Sequence, residues 1–300
     1  MNTKINLAGV ELKNPVMTAS GTFGSGMEYS EFVDLNKLGA VVTKGVANVP
    51  WPGNPTPRIA ETYGGMINAI GLQNPGIDVF CERDIPFLKK YDTKIIVNVC
   101  GKSERDYVEV VERLAGEPVD MLEINISCPN VKEGGIAFGQ NAANIEHITK
   151  AIKNVAKQPV IMKLSPNVTD ITEMAKAAEA GGADVLSLIN TITGMKIDIN
   201  RQTFAVANKT GGLSGPAVKP VAVRMVYQVA NAVKIPIIGM GGIATAEDAL
   251  EFILAGATAV SIGTANFHNP RTTLEVIEGI EKYMVNKAVS DINDLIGIVK

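Results

Sequence analysis

Residues 235–264 read IPIIGMGGIATAEDALEFILAGATAVSIGT, and this stretch holds one complete strand–helix–strand unit. Two short apolar runs, Ile237–Gly239 and Val260–Gly263, enclose the segment Ala246–Ala255, whose apolar residues recur at helical spacing. Thr245, with an acidic residue three positions later, fits a capping box at the start of that helix. The two runs are apolar throughout rather than alternating, which is typical of parallel strands covered on both faces. The stretch is therefore predicted to be a βαβ unit.

The same pattern recurs along the rest of the chain. Further apolar runs, each ending in a polar or glycine-rich turn, are Pro15–Thr18, Val41–Lys44, Ile95–Asn98, Met121–Asn125, Val160–Lys163 and Val185–Ile189. Helical periodicity fills most gaps, at Ser103–Ala115, Asn144–Ala156, Thr172–Ala180, Ala217–Ala232 and Ala246–Ala255. Eight strands alternating with helices favour an α/β fold of the closed (β/α)8 TIM-barrel type over a doubly wound sheet. No linker divides the chain, so we expect residues 1–300 to form a single domain.

Strand spacing locates two insertions. The second and third runs begin 54 residues apart and the sixth and seventh 52 residues apart, about twice the usual spacing here. The extra residues, about 47–68 and 192–215, follow strands 2 and 6 and therefore belong to loops on the top face, where barrel enzymes keep their active sites. Residues 5–14 are predicted to form an N-terminal hairpin at the bottom of the barrel, with Ala8-Gly9 as its turn.

Composition excludes several classes of function. Apolar residues make up 46% of the chain and charged residues 20%, with mean hydropathy +0.15, which excludes disorder and coiled coil. The net charge of −3 offers no basic surface for nucleic acid or an anionic membrane. We see no signal peptide and no membrane-spanning run. Three widely spaced cysteines form neither a disulfide framework nor a CxxC metal site, so we expect no metal and a reducing, cytoplasmic location.

Polar residues gather where the predicted strands meet their top-face loops. Five of them stand at equivalent positions: Lys44, Asn98, Asn125, Lys163 and Asn190. Because a buried amide or ammonium group is costly unless it is paired, the set favours one shared ligand over five separate structural roles. Lys163 can stabilise a developing negative charge or form a Schiff base with a carbonyl, and spacing alone leaves both roles open.

Two glycine signals point to a phosphate. Gly239–Ile243 follows the seventh predicted strand and Gly263-Thr264 follows the eighth. The loops after these two strands are the usual phosphate cradle of a TIM barrel, because free backbone N–H groups and a helix N-terminus converge there. Tight-turn glycines without a ligand are the alternative interpretation, and the paired positions favour the phosphate.

The cysteines and histidines differ in how well their positions suit a catalytic role. Cys128 stands in a polar loop, residues 125–130, after the fourth strand, where a thiol can serve as base or nucleophile. Cys81 falls in a helical stretch and Cys100 ends the third strand, so both are weaker candidates. The two histidines, His147 on a predicted helix and His268 in a predicted loop, receive no catalytic role.

Several motifs together make the chain resemble the dihydroorotate dehydrogenase family over nearly its whole length. They are residues 19–21 (ASG), 43–45 (TKG), 53–58 (GNPTPR), 68–76 (NAIGLQNPG), 125–130 (NISCPN), 163–167 (KLSPN), 211–215 (GGLSG) and the two phosphate loops. The stretch CPNVKEGG at 128–135 is most similar to the class 1B catalytic subunit. The resemblance implies an FMN-containing barrel that oxidises (S)-dihydroorotate to orotate in de novo pyrimidine (UMP) biosynthesis.

The resemblance also implies roles for individual residues. Cys128 would be the base that removes the C5 proton while hydride passes from C6 to the flavin, so activity would rise toward alkaline pH. Lys163 would lie at the N1/O2 edge of the flavin and offset the charge of the reduced ring. The implied FMN site consists of Ser20, Lys44, Gly45, Asn98, Asn125, Lys163, Ile189, Gly215, Gly241, Gly242, Gly263 and Thr264. The implied substrate site consists of Lys44, Asn68, Ala69, Ile70, Gly71, Leu72, Asn125, Asn190 and Thr191.

Class 1B enzymes pass electrons to NAD through a separate subunit that carries FAD and a [2Fe–2S] cluster. Three cysteines cannot supply the four thiolates of such a cluster, so the resemblance implies a heterotetramer of a homodimer of this chain with electron-transfer subunits. Absence of an N-terminal extension and Cys128 in place of serine disfavour the membrane-bound branch. Remaining alternatives are a class 1A homodimer that reduces fumarate, a Schiff-base lyase built on Lys163, and a non-catalytic module that binds a phosphorylated ligand.

Overall fold

The structure is a computed structural model that describes residues 1–127 and 139–299. An antiparallel hairpin opens the chain, formed by β1 (Ile5–Leu7) and β2 (Val10–Leu12). Its Leu7 and Leu12 side chains are fully buried, and the first barrel strand begins four residues later, so the hairpin lies at the N-terminal end of the barrel. This confirms the predicted N-terminal hairpin.

Eight parallel strands close into a barrel and follow one another around it in chain order. They are β3 (Val16–Thr18), β4 (Ala40–Val42), β7 (Lys94–Val99), β8 (Met121–Asn125), β9 (Val160–Lys163), β10 (Val185–Leu188), β15 (Ile237–Met240) and β16 (Ala259–Ile262). Every residue of β8, β9, β10, β15 and β16 is buried, because helices cover the outside and side chains fill the inside. The predicted (β/α)8 TIM barrel is confirmed.

Helices surround the barrel. Their bounds are α1 (Ile77–Val79) and α2 (Ile85–Leu88), joined by a π-helical turn (Phe80–Asp84), then α3 (Glu104–Leu114), α4 (Ala142–Val155), α5 (Ile171–Ala180), α6 (Lys219–Ala230), α7 (Ala246–Leu254), α8 (Ala265–His268) and α9 (Thr272–Asn286). Thr245 and Asp248 form the predicted capping box at the start of α7. The segment predicted as a helix from Ala217 begins as a 3₁₀ turn, Pro216–Val218, because Pro220 suits only the first turn of α6.

The two insertions join in one small sheet above the barrel. β5 (Ile59–Thr62) and β6 (Gly65–Asn68) come from the first insertion, and β11 (Ile192–Met195) and β14 (Thr210–Ser214) from the second. These strands pair antiparallel in the order β11-β14-β6-β5, with β6 and β14 joining the two insertions. A short hairpin, β12 (Ile197–Asp198) and β13 (Thr203–Phe204), extends from the second insertion. The top-face positions of both insertions are thus as predicted, whereas their union in one sheet was not predicted.

Within residues 1–127 and 139–299, the chain has no helix that combines the length and the apolar character needed to cross a membrane.

Candidate active site

A cavity of about 490 Å³ lies between the carboxyl ends of the barrel strands and the small sheet. Nearly all the residues that the sequence assigned to a site line it. They are Ser20, Lys44, Gly45, Asn68, Ile70, Gly71, Leu72, Asn98, Asn125, Lys163, Ile189, Asn190, Thr191, Gly215, Gly241, Gly242, Gly263 and Thr264. Residues from distant parts of the chain therefore meet in one place, because the top ends of all eight strands converge there.

Two of the assigned residues stand apart from this set. Ala69 does not line the cavity: its side chain is 1% exposed and packs with Ile67 and Val206 under the small sheet. Its backbone N–H donates to the Arg58 carbonyl at 2.7 Å, so it is also engaged away from the cavity. Cys128 lies outside the residues that the structure describes.

Lys163 ends strand β9 with its ammonium group at the cavity wall. The side chain is 5% exposed, and its Nζ donates to the Ser20 hydroxyl at 3.0 Å. The Glu123 carboxylate lies 3.5 Å from the same nitrogen. A buried ammonium group is costly unless it is paired, and Glu123 supplies that partner.

Glu123 was not among the predicted site residues. It lies in the middle of β8, opposite Asn98 in the strand register, and is 1% exposed. Its Oε2 accepts a hydrogen bond from Asn98 Nδ2 at 2.6 Å, and its Oε1 accepts one from the Ser187 hydroxyl at 2.8 Å. The signal was available, because a carboxylate inside the apolar run Met121–Asn125 needs buried partners.

Three amide side chains continue from Glu123 along the cavity, and we call Asn98, Asn125 and Asn190 the asparagine ladder. Asn125 Nδ2 donates to Asn98 Oδ1 at 3.3 Å, and Asn190 Nδ2 donates to Asn125 Oδ1 at 3.4 Å. Asn190 Nδ2 also donates to the Ser127 hydroxyl at 2.8 Å, while its Oδ1 accepts from the Thr191 N–H at 2.7 Å. The ladder thus presents amide groups of fixed orientation to anything in the cavity.

The opposite end of the cavity is built from backbone. Gly241 and Gly242 follow β15 with φ of 122° and 83°, a region that favours glycine. A Cβ at Gly242 would lie 2.8 Å from the Gly215 carbonyl oxygen, which leaves no room for a side chain. Nearby, the Thr264 hydroxyl donates to Ser214 Oγ at 2.8 Å. Backbone N–H groups and hydroxyls at this end are the groups that bind phosphate in such loops.

The chain matches the family model described as dihydroorotate dehydrogenase over residues 2–284. It belongs to the dihydroorotate dehydrogenase family. A protein of Lachnoclostridium phytofermentans is 77% identical over 300 residues, all of both chains, and one of Alkaliphilus oremlandii is 67% identical over 296 residues, covering 99% of this chain and 98% of the other. Both are named dihydroorotate dehydrogenase B (NAD(+)), catalytic subunit, which confirms the resemblance to class 1B.

A solved structure of dihydroorotate dehydrogenase from Eimeria tenella, in complex with ferulenol, has the same fold. Its TM-score is 0.83 at 24% sequence identity, and the match covers 99% of this chain and 88% of that one. Family membership as a dihydroorotate dehydrogenase removes the support for a Schiff-base lyase and for a non-catalytic binding module.

Lys219, next to the glycine loop, forms ion pairs with two carboxylates rather than with groups of the cavity. Lys219 Nζ lies 2.6 Å from an Asp248 oxygen and 2.7 Å from a Glu251 oxygen. The hydrogen bonds that Lys219 donates to these carboxylates raise its pKa above the ordinary value. Burial alone would raise the pKa of Asp248, but the Lys219 hydrogen bond and two backbone N–H groups hold it below its ordinary value. The Lys219 ammonium therefore fixes the start of α7 to α6.

Residues from α8 and α9 line the outer end of the cavity and were also missed. They are Phe267, His268, Asn269, Thr272 and Glu275. His268 was predicted to lie in a loop without a role, yet it ends α8 and reaches the cavity. Its position shortly after the eighth strand was the available signal, because that segment is part of the top face.

The other histidine and the two described cysteines do not line the cavity. His147 is exposed and contacts Glu104 at 2.7 Å. Cys100 is fully buried in a cluster with Ala47 and Trp51. Cys81 is half-buried in the π-helical turn. None of the three is a lining residue, which agrees with their low rank in the sequence analysis.

Proposed function

We propose that this chain is the catalytic subunit of an NAD-linked dihydroorotate dehydrogenase. It oxidises (S)-dihydroorotate to orotate on bound FMN and passes the electrons to a partner subunit that carries FAD and a [2Fe–2S] cluster. The supporting observation is the single cavity that unites the glycine loops, Lys44, Lys163 and the asparagine ladder. The names of the relatives, which include a catalytic subunit and NAD(+), support the partner and the acceptor.

The cavity residues fit FMN at both ends. At the phosphate end, Gly242 leaves no room for a side chain, and Gly241, Gly242, Gly263 and Thr264 would hold the phosphate through N–H groups and a hydroxyl. At the other end, the buried ammonium of Lys163 would lie against the N1/O2 edge of the ring and stabilise the negative charge that reduction adds. Bound FMN supplies the acceptor for the hydride from C6 of the substrate.

The protein's own residues would bind the substrate and move its proton. Asn68, Asn125, Asn190 and Thr191 would hold the carboxylate and the amide groups of the pyrimidine ring, with Lys44 in contact with both substrate and flavin. The backbone of residues 70–72 would complete this pocket. The Cys128 thiolate would remove the proton at C5. Met66, Asn68 and Leu213 of the small sheet line the cavity, so these groups would act between the barrel and that sheet.

The electron-transfer centre belongs to another chain. A [2Fe–2S] cluster needs four thiolates, and this sequence has three cysteines in all. Of these, Cys81 and Cys100 do not line the cavity. A heterotetramer with a homodimer of this chain at its centre satisfies the need for a cluster.

Visible spectroscopy of the purified chain tests this proposal. We expect a flavin spectrum that bleaches when dihydroorotate is added without oxygen, and NAD⁺ turnover only after the partner subunit is added. A protein without flavin, or a flavin that dihydroorotate does not bleach, would contradict the activity. Rapid fumarate reduction by the isolated chain would contradict the NAD-linked class while preserving the activity.

A further inference from the structure

Behind the cavity wall lies one acidic side chain that the reaction described above does not use. Glu123 is 1% exposed and is not a lining residue, so it cannot touch a ligand in the cavity. It nevertheless contacts three strands of the barrel: Asn98 on β7, Lys163 on β9 and Ser187 on β10. A buried carboxylate with this many partners requires each neighbour to turn a hydrogen-bond donor toward it.

The carboxylate decides which way the first amide points. An ionised carboxylate only accepts hydrogen bonds, so Asn98 must turn its Nδ2 toward Glu123, at 2.6 Å. The Oδ1 of Asn98 is then directed toward Asn125, whose Nδ2 donates to it. An inverted Asn98 would set two acceptors against each other at Glu123.

The orientation of the Asn98 amide also affects the next two amides of the asparagine ladder. With Asn125 Nδ2 committed to Asn98, Asn125 Oδ1 is the atom that accepts from Asn190 Nδ2 at 3.4 Å. Asn190 Oδ1 in turn accepts from the Thr191 N–H. One N–H of Asn125 stays available for a ligand, because its Nδ2 carries two hydrogens and Asn98 takes one. The Ser127 N–H and hydroxyl also donate to Asn125 Oδ1, at 3.4 and 3.2 Å, so they support the same orientation that Glu123 sets at the Asn98 end of the ladder.

Glu123 also balances charge. Its Oε2 lies 3.5 Å from Lys163 Nζ, and both side chains are at most 5% exposed. In a site screened this little by water, removal of the carboxylate leaves the lysine charge uncompensated. An uncompensated positive charge next to a flavin makes its reduction easier.

We propose that Glu123 is a positioning residue that fixes the amide orientation of the asparagine ladder and balances the charge of Lys163. This inference rests on the proposed function, since it concerns orotate and FMN in the same cavity. Two variants separate the two parts of the proposal. Glu123→Leu removes both the acceptor and the charge, whereas Glu123→Gln removes the charge and keeps an acceptor for Asn98, because the Ser187 hydroxyl can turn to accept from the new amide.

The experiment measures orotate affinity from the flavin spectrum and the midpoint potential of bound FMN. For Glu123→Leu we expect orotate to bind about 10-fold or more weakly, because the ladder loses its fixed orientation. For Glu123→Gln we expect affinity within about 3-fold of wild type and a raised potential. Asp120→Asn is the matched control: Asp120 precedes the same strand at the opposite end, pairs with Lys94 at 3.1 Å, and should change neither quantity.

Each result tests one part of the proposal, either the orientation of the asparagine ladder or the charge balance of Lys163. Orotate affinity in Glu123→Leu within about 3-fold of wild type would overturn the orientation of the ladder, and a wild-type potential in Glu123→Gln would overturn the charge balance. If Glu123→Leu does not fold, Glu123→Gln still tests both parts. An unchanged potential overturns the charge balance, and a loss of orotate affinity greater than about 3-fold overturns the claim that an acceptor for Asn98 is enough to orient the ladder. Failure of the wild-type chain to bind orotate would instead contradict the proposed function.

Discussion

Burial raises the pKa of the Cys81 thiol to about 11, and the nearby Glu117 carboxylate adds to the rise. At pH 8 such a thiol is about 0.1% ionised, whereas an unperturbed thiol is ionised to a considerable extent. Only the thiolate accepts a proton, so Cys81 is unsuited to serve as a base even if a substrate could reach it. Cys81 is therefore an inert cysteine, and it is Cys128 that we propose as the base.

The base is tested by Cys128→Ala. We expect the rate of flavin bleaching by dihydroorotate to fall about 100-fold or more, because proton removal from C5 loses its acceptor. FMN content should stay the same, since Cys128 is not assigned to the cofactor site. Stopped-flow absorbance measures the rate, and Cys81→Ala is the matched control with an expected wild-type rate. A wild-type rate in Cys128→Ala would remove the residue from the mechanism.

At the scale of elements, the loop between β15 and α7 combines a left-handed glycine pair with a capped helix start. Gly242 approaches both Gly215 and Lys219, where an added Cβ would lie 2.8 Å from each neighbour. The capping box and the Lys219–Asp248 pair hold the far end of the same loop. A loop fixed at both ends loses little conformational freedom when a ligand binds, which would favour the binding of the proposed phosphate.

Gly242→Ala should loosen FMN binding about 10-fold or more, because both the positive φ and the close contacts oppose a side chain. Flavin fluorescence on dilution measures the dissociation constant. Gly116→Ala is the control, since a Cβ there meets nothing within 4 Å and its φ lies outside the left-handed region. Equal FMN affinity in both variants would show that the loop does not hold the phosphate.

Apolar runs predicted the eight barrel strands and five helices, because continuous burial leaves a pattern that one sequence reveals. The small sheet left no such pattern: β6 pairs with β14 across more than 140 residues, and only Ile67 of its four residues is buried. The same difference holds for single residues of the site. Lys163 and Asn98 were found from their places at strand ends, whereas Glu123 was missed because its partners lie on three other strands.

At the scale of the whole molecule, we propose that residues 1–300 form one domain. Ligand-binding residues come from the barrel and from both insertions, so the two parts share one cavity. We expect a single unfolding transition in calorimetry. FMN at 100 times its dissociation constant should raise the free energy of unfolding of the whole domain by about 2.7 kcal/mol. A second transition that FMN does not shift would contradict a single domain.

The pairing of β6 with β14 also bears on how the protein is made. Until the ribosome has added Ser214, β6 has only β5 beside it, and one edge of the hairpin stays open to other chains. The small sheet above the cavity is complete only after more than two-thirds of the chain has been synthesised. We therefore expect FMN to bind late in the synthesis of this protein. A truncated chain would carry an aggregation-prone strand edge instead of a binding site.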